Sequence, residues 1–528
     1  MRFLSVNSDC FLIELSSLEE TLALYQQLQH AEAKGIKDLI PAAKTILVFF
    51  NELDTQFKVL VNWISGLSFG KSQQQNAKEV IIPICYNGED LQQVAELQGL
   101  SVAEVIRLHQ QSLWNVAFIG FAPGFAYMSS PDHPFTDIPR LSVPRKKIPS
   151  GSLGLAGKYS GIYPKDSPGG WQLIGSTTEK MWDLERKNPA LLLPGMTVHF
   201  EDVTHNPTTV SVPQQISAIE APASGVAVFK ITAPSLQMLI QDEGRLHQSR
   251  LGVGSAGAMD LSAMHSANRI VGNPSHTPVI ELLNGGLKAK MQNSAVLAIT
   301  GAESDIHVKF ADGQQAIFPS YQAIALDQGD EFHIQTPSAG LRNYLAIRGG
   351  IQVKPVLNSC SFDSLAVLGP EPLKMGDVLY QAQAISSNIS LSEIPRPNLP
   401  KVGECVELDI VMGPRTHWFD AASIEKLTQQ QWLVTQESNR VGLRLLGAEP
   451  LTRSITHELE SEGTCIGALQ IPPSGQPVLF MNDHPLTGGY PVIAAVAKHH
   501  WDLVAQIPAG CHIKFKKMQE LIQIESEI

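Results

Sequence analysis

Two glycine pairs are the residues whose type and spacing best suit chemistry on an anion. SPGGWQLIG (167–175) and LTGGYPVIA (486–494) each contain Gly-Gly, then an aromatic residue, then an apolar strand. Backbone N–H groups in such turns can stabilise negative charge that develops during a reaction. Gly-Gly before an aromatic residue equally fits a bulge or tight bend with core packing. The sequence therefore predicts either two anion-binding loops or two equivalent bends.

Each glycine pair follows a second matching segment, which indicates an internal repeat. PSGSLGLAG (149–157) precedes the first pair, and SEGTCIGAL (461–469) precedes the second. GFAPGFAYM (120–128) and MGPRTHWFD (412–420) are candidates for a matching element further upstream. Internal repeats are weighed before single motifs because they set the architecture. We therefore predict two copies of one domain, near 79–203 and 403–516.

Two nucleotide-binding motifs are nearly present but lack their structural context. GVGSAG (252–257) satisfies G-x-G-x-x-G, yet no buried strand precedes it, so we expect no dinucleotide site. SGLSFGKS (65–72) has Ser65 where a phosphate-binding loop has its first glycine, and it follows a helix rather than a strand. We interpret it as a helix end with a loop.

Metal-binding and hydrolase motifs are also incomplete. THELE (456–460) lacks the second histidine of H-E-x-x-H, and no G-x-S-x-G motif occurs. His499 and His500 are adjacent but have no third ligand at a readable spacing, so we predict no bound metal. KAKMQ (288–292) lacks the Met-Lys-Met of a biotin-attachment segment.

The elements that must position these residues are mostly short strands. TILVFF (45–50) predicts a buried strand, and apolar residues from Asp54 onward mark one face of a helix. Ser101 and Glu104 predict a capping box. From Asn115 the chain consists of short apolar runs separated by turn residues, which is typical of a sheet or barrel. Residues 226–385 begin with a strand and contain one clear helix, AMDLSAMHSANRIVG. The segments 72–78, 204–225 and 386–404 predict boundaries or linkers.

Composition narrows the class of protein. Hydrophobic residues make up 43% of the chain and charged residues 17%, which is ordinary for a globular protein. The length of 528 residues predicts three or four domains. The net charge of −12 disfavours nucleic acid, and we interpret the basic run of Arg140, Arg145, Lys146 and Lys147 as a solvated turn or an anion contact. Six scattered cysteines, the lack of a signal-peptide pattern and the lack of a membrane-spanning run predict a cytoplasmic protein.

Longer motifs carry a resemblance to a known family. Residues 115–175, with WNVAFIGFAPGFAYM and VPRKKIPSGSLGLAGKYSGIYPKDSPGGWQLIG, resemble the B subunit of 5-oxoprolinase, whose family includes a histidine-kinase inhibitor and allophanate hydrolase subunit 1. The second half resembles the C subunit of the same enzyme, or allophanate hydrolase subunit 2. Its markers are LGVGSAGAMDLSAMHSANRIVGNP (251–274), LAITGA (297–302), LRNYLAIRGGI (341–351), ESNRVGLRL (437–445), SEGTCIGALQIPPSGQPVLF (461–480) and NDHPLTGGYPVIA (482–494). Both halves are also similar to the carboxyltransferase region of urea carboxylase.

The resemblance implies a mixed α/β fold that is mostly β, with two cyclophilin-like β-barrels each paired with a smaller α+β or β-rich domain. The expected domains are 1–75, the N-terminal α+β domain of the B-like half; 79–203, its barrel; 226–385, the first domain of the C-like half; and 403–516, the second barrel.

The implied activity is ATP-dependent opening of the lactam 5-oxo-L-proline to L-glutamate. The expected route phosphorylates the amide oxygen, after which water attacks the activated carbon. ATP with Mg²⁺ is the expected co-substrate, without a tightly bound cofactor. The expected partners are a separate A subunit of 5-oxoprolinase and a small-molecule substrate, and a homo-oligomer is possible.

Candidate residues follow from what this chemistry needs. Phosphoryl transfer needs cations around the phosphates, and arginine offers a bidentate fork to phosphate or carboxylate. Asp260 equally fits a helix cap, and Arg440 equally fits a loop tie. The candidates for a base or Mg²⁺ ligand are Asp260, Glu462 and Asp483. The candidates for substrate or nucleotide binding are Arg145, Lys146, Ser150, Tyr163, Ser167, Gly169, Gly170, Trp171, Arg440, Arg444, Gln470, Gln476, Thr487, Gly488, Gly489 and Tyr490.

Two other function classes remain open at this point. One is a biotin-dependent carboxyltransferase acting on urea or a related small amide, with the biotin carried by a partner. The other is a binding module that inhibits a histidine kinase, which only the first half supports.

Overall fold

The computed structural model describes residues 1–31, 34–67, 78–141, 143, 145–204, 225–384 and 386–526. Most of the segment SGLSFGKS, residues 72–77 of the boundary at 72–78 and nearly all of the expected linker 204–225 lie outside these residues. No helix in the described ranges is both long and apolar enough to cross a membrane.

The described elements are short and mostly strands. The helices are α1 Leu18–His30, α2 Phe57–Ser65, α3 Leu91–Gln98, α4 Val102–Gln111, α5 Leu261–Ile270, α6 Ala421–Gln429 and α7 Trp501–Ala505, with 3-10 helices at Ser249–Leu251, Thr416–Trp418 and Lys498–His500. The strands of the first half are β1 Arg2–Asn7, β2 Cys10–Glu14, β3 Ile36–Pro41, β4 Thr45–Phe50, β5 Glu79–Ile84, β6 Trp114–Ile119, β7 Ala126–Ser129, β8 Arg145–Ile148, β9 Ser152–Ala156, β10 Tyr159–Ile162, β11 Ser167–Gly169, β12 Gln172–Ser176 and β13 Thr197–Asp202. The strands of the second half are β14 Val226–Ala233, β15 Gln237–Gln241, β16 Val279–Leu283, β17 Lys288–Met291, β18 Ala295–Glu303, β19 Asp305–Lys309, β20 Gln315–Pro319, β21 Ala323–Leu326, β22 Glu331–Ile334, β23 Ala339–Ile347, β24 Val378–Gln381, β25 Cys405–Met412, β26 Trp432–Val434, β27 Gly442–Gly447, β28 Glu462–Gly463, β29 Ala468–Gln470, β30 Val478–Phe480, β31 Thr487–Gly488, β32 Val492–Val496, β33 His512–Gln519 and β34 Gln523–Glu525.

Two seven-stranded sheets share one topology, and the expected mostly-β fold with two barrels is confirmed. The first sheet has the order β12-β9-β10-β7-β6-β13-β5, and the second is a closed barrel in which β32-β29-β30-β27-β26-β33-β25 follow the same order. In both, the last two strands are parallel. A bridge between Cys85 and Ser176 brings the ends of the first sheet together. We call the first sheet the first barrel and the second the closed barrel.

Matching side chains confirm the predicted repeat. Trp114 opens β6 and donates its indole N–H to the carbonyl of His109, five residues earlier. Trp432 opens β26 and donates in the same way to Leu427. The upstream match of 120–128 with 412–420 is wrong, because the first segment runs from the end of β6 into β7 whereas the second runs from the end of β25 to the start of α6. Similar glycine and aromatic content misled that alignment.

The N-terminal sheet has the order β3-β4-β2-β1-β34 and is apolar on both faces. Alternate residues of β4 point to opposite faces. Ile46 and Val48 pack with residues of α1 and α2, such as Leu24 and Ile64. Leu47 instead packs with residues of the closed barrel. This double burial explains why TILVFF is continuously apolar.

The second half begins with two further sheets that pack together. Their orders are β20-β19-β22-β17-β14-β24 and β15-β16-β23-β18-β21. A shared core of aliphatic and aromatic side chains joins them. Helix α5 packs on β18 and β23, with Met264, Ala267 and Ile270 buried there. We call these two sheets with α5 the double-sheet unit.

Candidate functional site

The two glycine pairs lie on either side of one arginine, Arg140. A Cβ at Gly170 would lie 3.8 Å from the Cβ of Arg140, and a Cβ at Gly489 would lie 3.3 Å from its Nη1. The backbone N–H of Leu141 donates to the carbonyl of Gly170 at 2.7 Å, which fixes the chain beside Arg140. The lack of a side chain at Gly489 thus leaves room for the guanidinium, while Gly170 lies beside the first carbon of the same side chain.

Each glycine pair is held by an equivalent two-stranded ribbon. Strand β11 pairs with β8, with Gly169 opposite Arg145. Strand β31 pairs with β28, with Gly488 opposite Glu462. These ribbons lie outside the barrels and precede β12 and β32, so the repeat places both glycine pairs at the same position of their domains.

A loop of the first barrel contacts the second glycine ribbon directly. The backbone N–H of Phe121 donates to Thr487 Oγ1 at 3.2 Å. Phe121 has φ of 64°, a conformation that costs free energy for a residue with a bulky side chain. A Cβ at Gly120 would lie 2.4 Å from Thr487 Oγ1, so this close approach requires glycine.

Two buried tyrosines lie within the electrostatic reach of Arg140. Burial raises the pKa of Tyr127, while Arg140 and hydrogen bonds with Ser461 and Thr487 partly offset that rise. Burial also raises the pKa of Tyr163, and Arg140 again opposes the effect. The Tyr163 hydroxyl lies against Gly169, where a Cβ would be only 2.4 Å away. Both phenols therefore stay protonated near neutral pH and can act as hydrogen-bond donors.

The guanidinium of Arg140 is largely uncommitted. Within the described part of the chain, its ion-pair contact is with Glu458, whose Oε2 lies 4.0 Å from Nε. A charged fork with free donors, beside tyrosine hydroxyls and glycine backbone, suits a carboxylate or phosphate. We call Tyr127, Arg140, Gly170, Thr487 and Gly489 the junction.

Several predicted residues lie at or beside the junction. Trp171 packs in the aromatic cluster that contains Tyr127 and Tyr163. Gln470 donates to the carbonyl of Tyr490 at 3.2 Å, which braces the second glycine loop. Arg453, which the sequence did not single out, lies 5.7 Å from the centre of the Tyr490 ring.

Other predicted binding residues of the first half lie on or next to its ribbon and have local partners or face solvent. The Arg145 guanidinium is held by Asp90 at 2.7 Å and Glu89 at 2.8 Å. Lys146 is exposed. Ser150 and Ser167 make local turn contacts, with the backbone of Ser150 donating to Asp166 and the Ser167 hydroxyl donating to the carbonyl of Lys165.

Two candidate residues of the second half, Arg444 and Gln476, lie on the closed barrel away from the glycine loop. Arg444 is an exposed residue of β27. The Gln476 side chain exchanges hydrogen bonds with the backbone of Gly447.

The three predicted carboxylates all have partners in the fold. Asp260 caps α5 by accepting from the N–H of Ala263 at 2.9 Å. Glu462 forms a bidentate pair with Arg415, which also contacts Glu14 of the N-terminal sheet. Asp483 accepts from Ser364 and pairs with Arg440, whose guanidinium also binds Glu281. These contacts tie together the N-terminal sheet, the closed barrel and the double-sheet unit.

Arg140 and Tyr127 are the junction residues that the sequence did not place among the candidates, and Arg140 is the charged one. It belongs to the basic run already interpreted as a possible anion contact, but its sequence neighbours gave no sign of the second half.

Comparisons with known proteins match both halves of the chain. Residues 251–517 match the model of the carboxyltransferase domain, subdomains A and B, and residues 1–192 match that of subdomains C and D. The chain is 32% identical over 291 residues to the 5-oxoprolinase C subunit of Escherichia coli (strain K12), covering 54% of this chain and 90% of that protein. It is 42% identical over 196 residues to the 5-oxoprolinase B subunit of Escherichia coli O157:H7, covering 36% and 87%.

Two further similarities concern the whole chain and the second half. The solved structure of TTHA0988 covers 96% of this chain and 99% of its own, with a TM-score of 0.83 and 29% identity. The urea amidolyase of Lachancea kluyveri is 32% identical over 313 residues, which cover 54% of this chain but only 17% of that protein.

Proposed function

This chain belongs to the carboxyltransferase-domain family that includes the B and C subunits of 5-oxoprolinase, and on that premise we propose that it supplies the B and C components of an ATP-dependent 5-oxoprolinase. The observation that carries the proposal is the junction, where glycine loops of a B-like and a C-like half meet around Arg140. A site formed from both halves accounts for a single chain that contains both.

The proposed reaction requires groups that stabilise negative charge on the substrate and on the transferred phosphoryl group. A lactam amide resists water, so phosphorylation of its oxygen by ATP makes the carbon open to attack. Water then adds, the carbon–nitrogen bond breaks, and glutamate, ADP and phosphate are released. Arg140 suits the substrate carboxylate or the transferred phosphoryl group, because the oxygens of either group can accept paired hydrogen bonds from a guanidinium.

The protonated tyrosines have a complementary role. Tyr127 and Tyr163 are neutral near pH 7, and burial raises the pKa of both further, so their O–H groups can orient a carbonyl or phosphoryl oxygen without repelling it. ATP and Mg²⁺ reach such a site as co-substrates. The donor set of the junction fits the oxyanion rather than the metal, and we assign no residue to Mg²⁺.

The proposed partner is the separate A component of 5-oxoprolinase. The proposal is tested by measuring glutamate formed from 5-oxoproline with Mg-ATP, using this chain, the cognate A component, and the two mixed. We expect glutamate only from the mixture, with one ADP formed per glutamate. Absence of glutamate from a folded, assembled complex would contradict the proposal.

The alternative is transfer of a carboxyl group from carboxybiotin to urea or a related small amide. The family model and the similarity to part of a urea amidolyase favour it. It is tested in the same assembly with carboxybiotin in place of ATP, by following loss of the carboxyl group. The histidine-kinase inhibitor hypothesis leaves the second half without a role.

A further inference from the structure

A cluster of two histidines and one aspartate lies on the closed barrel, on elements that contribute nothing to the junction. Asp409 belongs to β25, and His499 and His500 belong to the 3-10 helix Lys498–His500 that follows β32. Asp409 Oδ2 lies 3.1 Å from His499 Nε2 and 3.3 Å from His500 Nε2. The three ligand atoms all lie within 4.8 Å of one another. We propose that this cluster binds a Zn²⁺ ion.

The distances fit tetrahedral coordination. With metal–ligand bonds of about 2.0–2.1 Å, neighbouring ligand atoms of a tetrahedral zinc ion lie about 3.4 Å apart. The two separations from Asp409 Oδ2, 3.1 and 3.3 Å, are close to that value, and the two histidine nitrogens lie within 4.8 Å of each other. Two imidazole nitrogens and one carboxylate oxygen suit Zn²⁺ better than Mg²⁺ or Ca²⁺, which prefer oxygen ligands.

The backbone holds the ligands in register. The N–H of Ala497 donates to the carbonyl of Asp409 at 2.9 Å, and the N–H of His500 donates to Ala497 at 2.9 Å. Strands β25 and β32 pair just before the turn, with Ile410 opposite Val496. A preorganised set of ligands loses little conformational entropy when the ion binds.

The cluster is open to solvent on one side. The His499 side chain is 55% exposed, whereas those of His500 and Asp409 are 20% and 26% exposed. Water can therefore occupy a fourth position. The sequence predicted no bound metal because no third ligand was readable, and Asp409 lies 90 residues before His499.

Nearby cations set the expected strength of binding. The positive charge of Lys516 interacts electrostatically with Asp409, and that of Arg396 interacts with His500. Both are partly neutralised, since Lys516 lies 3.6 Å from Glu407 and Arg396 lies 3.3 Å from Asp502. We therefore expect micromolar rather than nanomolar affinity.

Bound Zn²⁺ would hold in place the turn that precedes the contact between the closed barrel and the double-sheet unit. The turn that carries the histidines leads into α7, where Asp502 accepts from the N–H of Leu261 at 3.0 Å and from the Ser262 hydroxyl. These residues begin α5 of the double-sheet unit. The ion would thus stabilise this contact between the two parts.

The test uses the full-length protein and Zn²⁺ alone. After removal of metal and dialysis against ZnCl₂, we expect about one ion per chain by elemental analysis, and a raised melting temperature. Co²⁺ in place of Zn²⁺ should give visible absorption typical of a four- or five-coordinate site. The variants Asp409→Asn and His499→Gln should each weaken binding at least about tenfold.

Two control variants separate this site from adventitious binding. His307→Gln alters another histidine pair, whose rings lie 6.5 Å apart. Cys405→Ser removes an exposed thiol opposite His512. Both should bind Zn²⁺ like the unaltered protein. The proposal is overturned if the unaltered protein retains no Zn²⁺, or if Asp409→Asn and His499→Gln, folded by circular dichroism, retain as much as it does.

Discussion

At the scale of single residues, Arg140 is the side chain whose removal should matter most to the proposed activity. It lies between the two glycine loops, and within the described residues its ion-pair contact is the 4.0 Å approach to Glu458. We expect Arg140→Gln to lower kcat/KM for glutamate formation about 100-fold, equivalent to about 2.7 kcal/mol, because a charged donor to an oxyanion is lost. Arg140→Lys should recover part of the loss, since it keeps the charge without the fork.

The matched control for Arg140 is Arg107→Gln. Arg107 is an exposed residue of α4 whose Nη1 donates to Gln111 at 2.8 Å. We expect its kcat/KM and the melting temperatures of all three variants to match the unaltered protein. Equal kcat/KM for Arg140→Gln and the unaltered protein would remove Arg140 from the proposed site.

Residue-scale prediction from sequence succeeded where the signal was local. The Ser101–Glu104 capping box is present, as predicted. The glycine pairs were singled out because they repeat, and their role in binding stays a prediction. Arg140 was not singled out, because its importance depends on Gly489, which the fold brings to it from the other half of the chain. Ion pairs such as Arg415 with Glu14 are equally non-local.

At the scale of elements, the cap of α5 should make stability depend on pH. Burial, reinforced by the charge of Asp502, raises the pKa of Asp260 from 3.8 to about 7. The folded protein therefore holds a proton between about pH 4 and 7 that the unfolded chain releases. Stability falls as pH rises through this window and is level above it.

Asp260→Asn should remove that part of the pH dependence. Asn still accepts from the N–H of Ala263, although its Nδ2 would face Gln506 Nε2 and lower stability overall. We expect the urea midpoint of the variant to fall less between pH 5 and 8 than that of the unaltered protein. Parallel profiles would contradict the ionisation assigned to Asp260.

The control is another aspartate that caps a helix, Asp420 of α6. A backbone hydrogen bond from Ser423 lowers the pKa of this exposed residue, so it gives stability that is lost only as pH falls through the acidic range. Asp420→Asn should leave the slope between pH 5 and 8 unchanged.

Elements were well predicted wherever apolar period and turn residues agreed. The strand at 45–50, the helix after Asp54 and the helix of AMDLSAMHSANRIVG all occur, with ends shifted by a few residues. The upstream repeat match failed because Gly, Pro and aromatic residues recur in many loops. Pairing order, rather than composition, identifies equivalent strands.

At the scale of the molecule, the two halves are interleaved rather than merely joined. Strand β34 follows the closed barrel yet pairs with β1, with Phe3 opposite Ile524. The far face of the N-terminal sheet packs on the closed barrel, where Leu12 and Leu47 meet Val478 and Phe480. No periodicity in the sequence could specify these contacts, because they join segments from opposite ends of the chain.

This interleaving predicts that the chain can be cut without losing the assembly. Co-expressed fragments 1–204 and 225–528 should form a 1:1 complex, since the N-terminal sheet cannot leave its second apolar face in water. A tag on the first fragment, followed by size-exclusion chromatography, measures the association.

Leu47→Asp should abolish the association, because Leu47 is fully buried and a Cβ at Gly463 of the second half would lie 2.6 Å from its Cβ. Leu53→Asp, at a position 94% exposed, should not. If the fragments elute separately, the core shared by the N-terminal sheet and the closed barrel stabilises the assembly less than the covalent connection does. If association survives Leu47→Asp, the main contact lies instead where Ile119 and Ala190 pack with Leu251 and Val253.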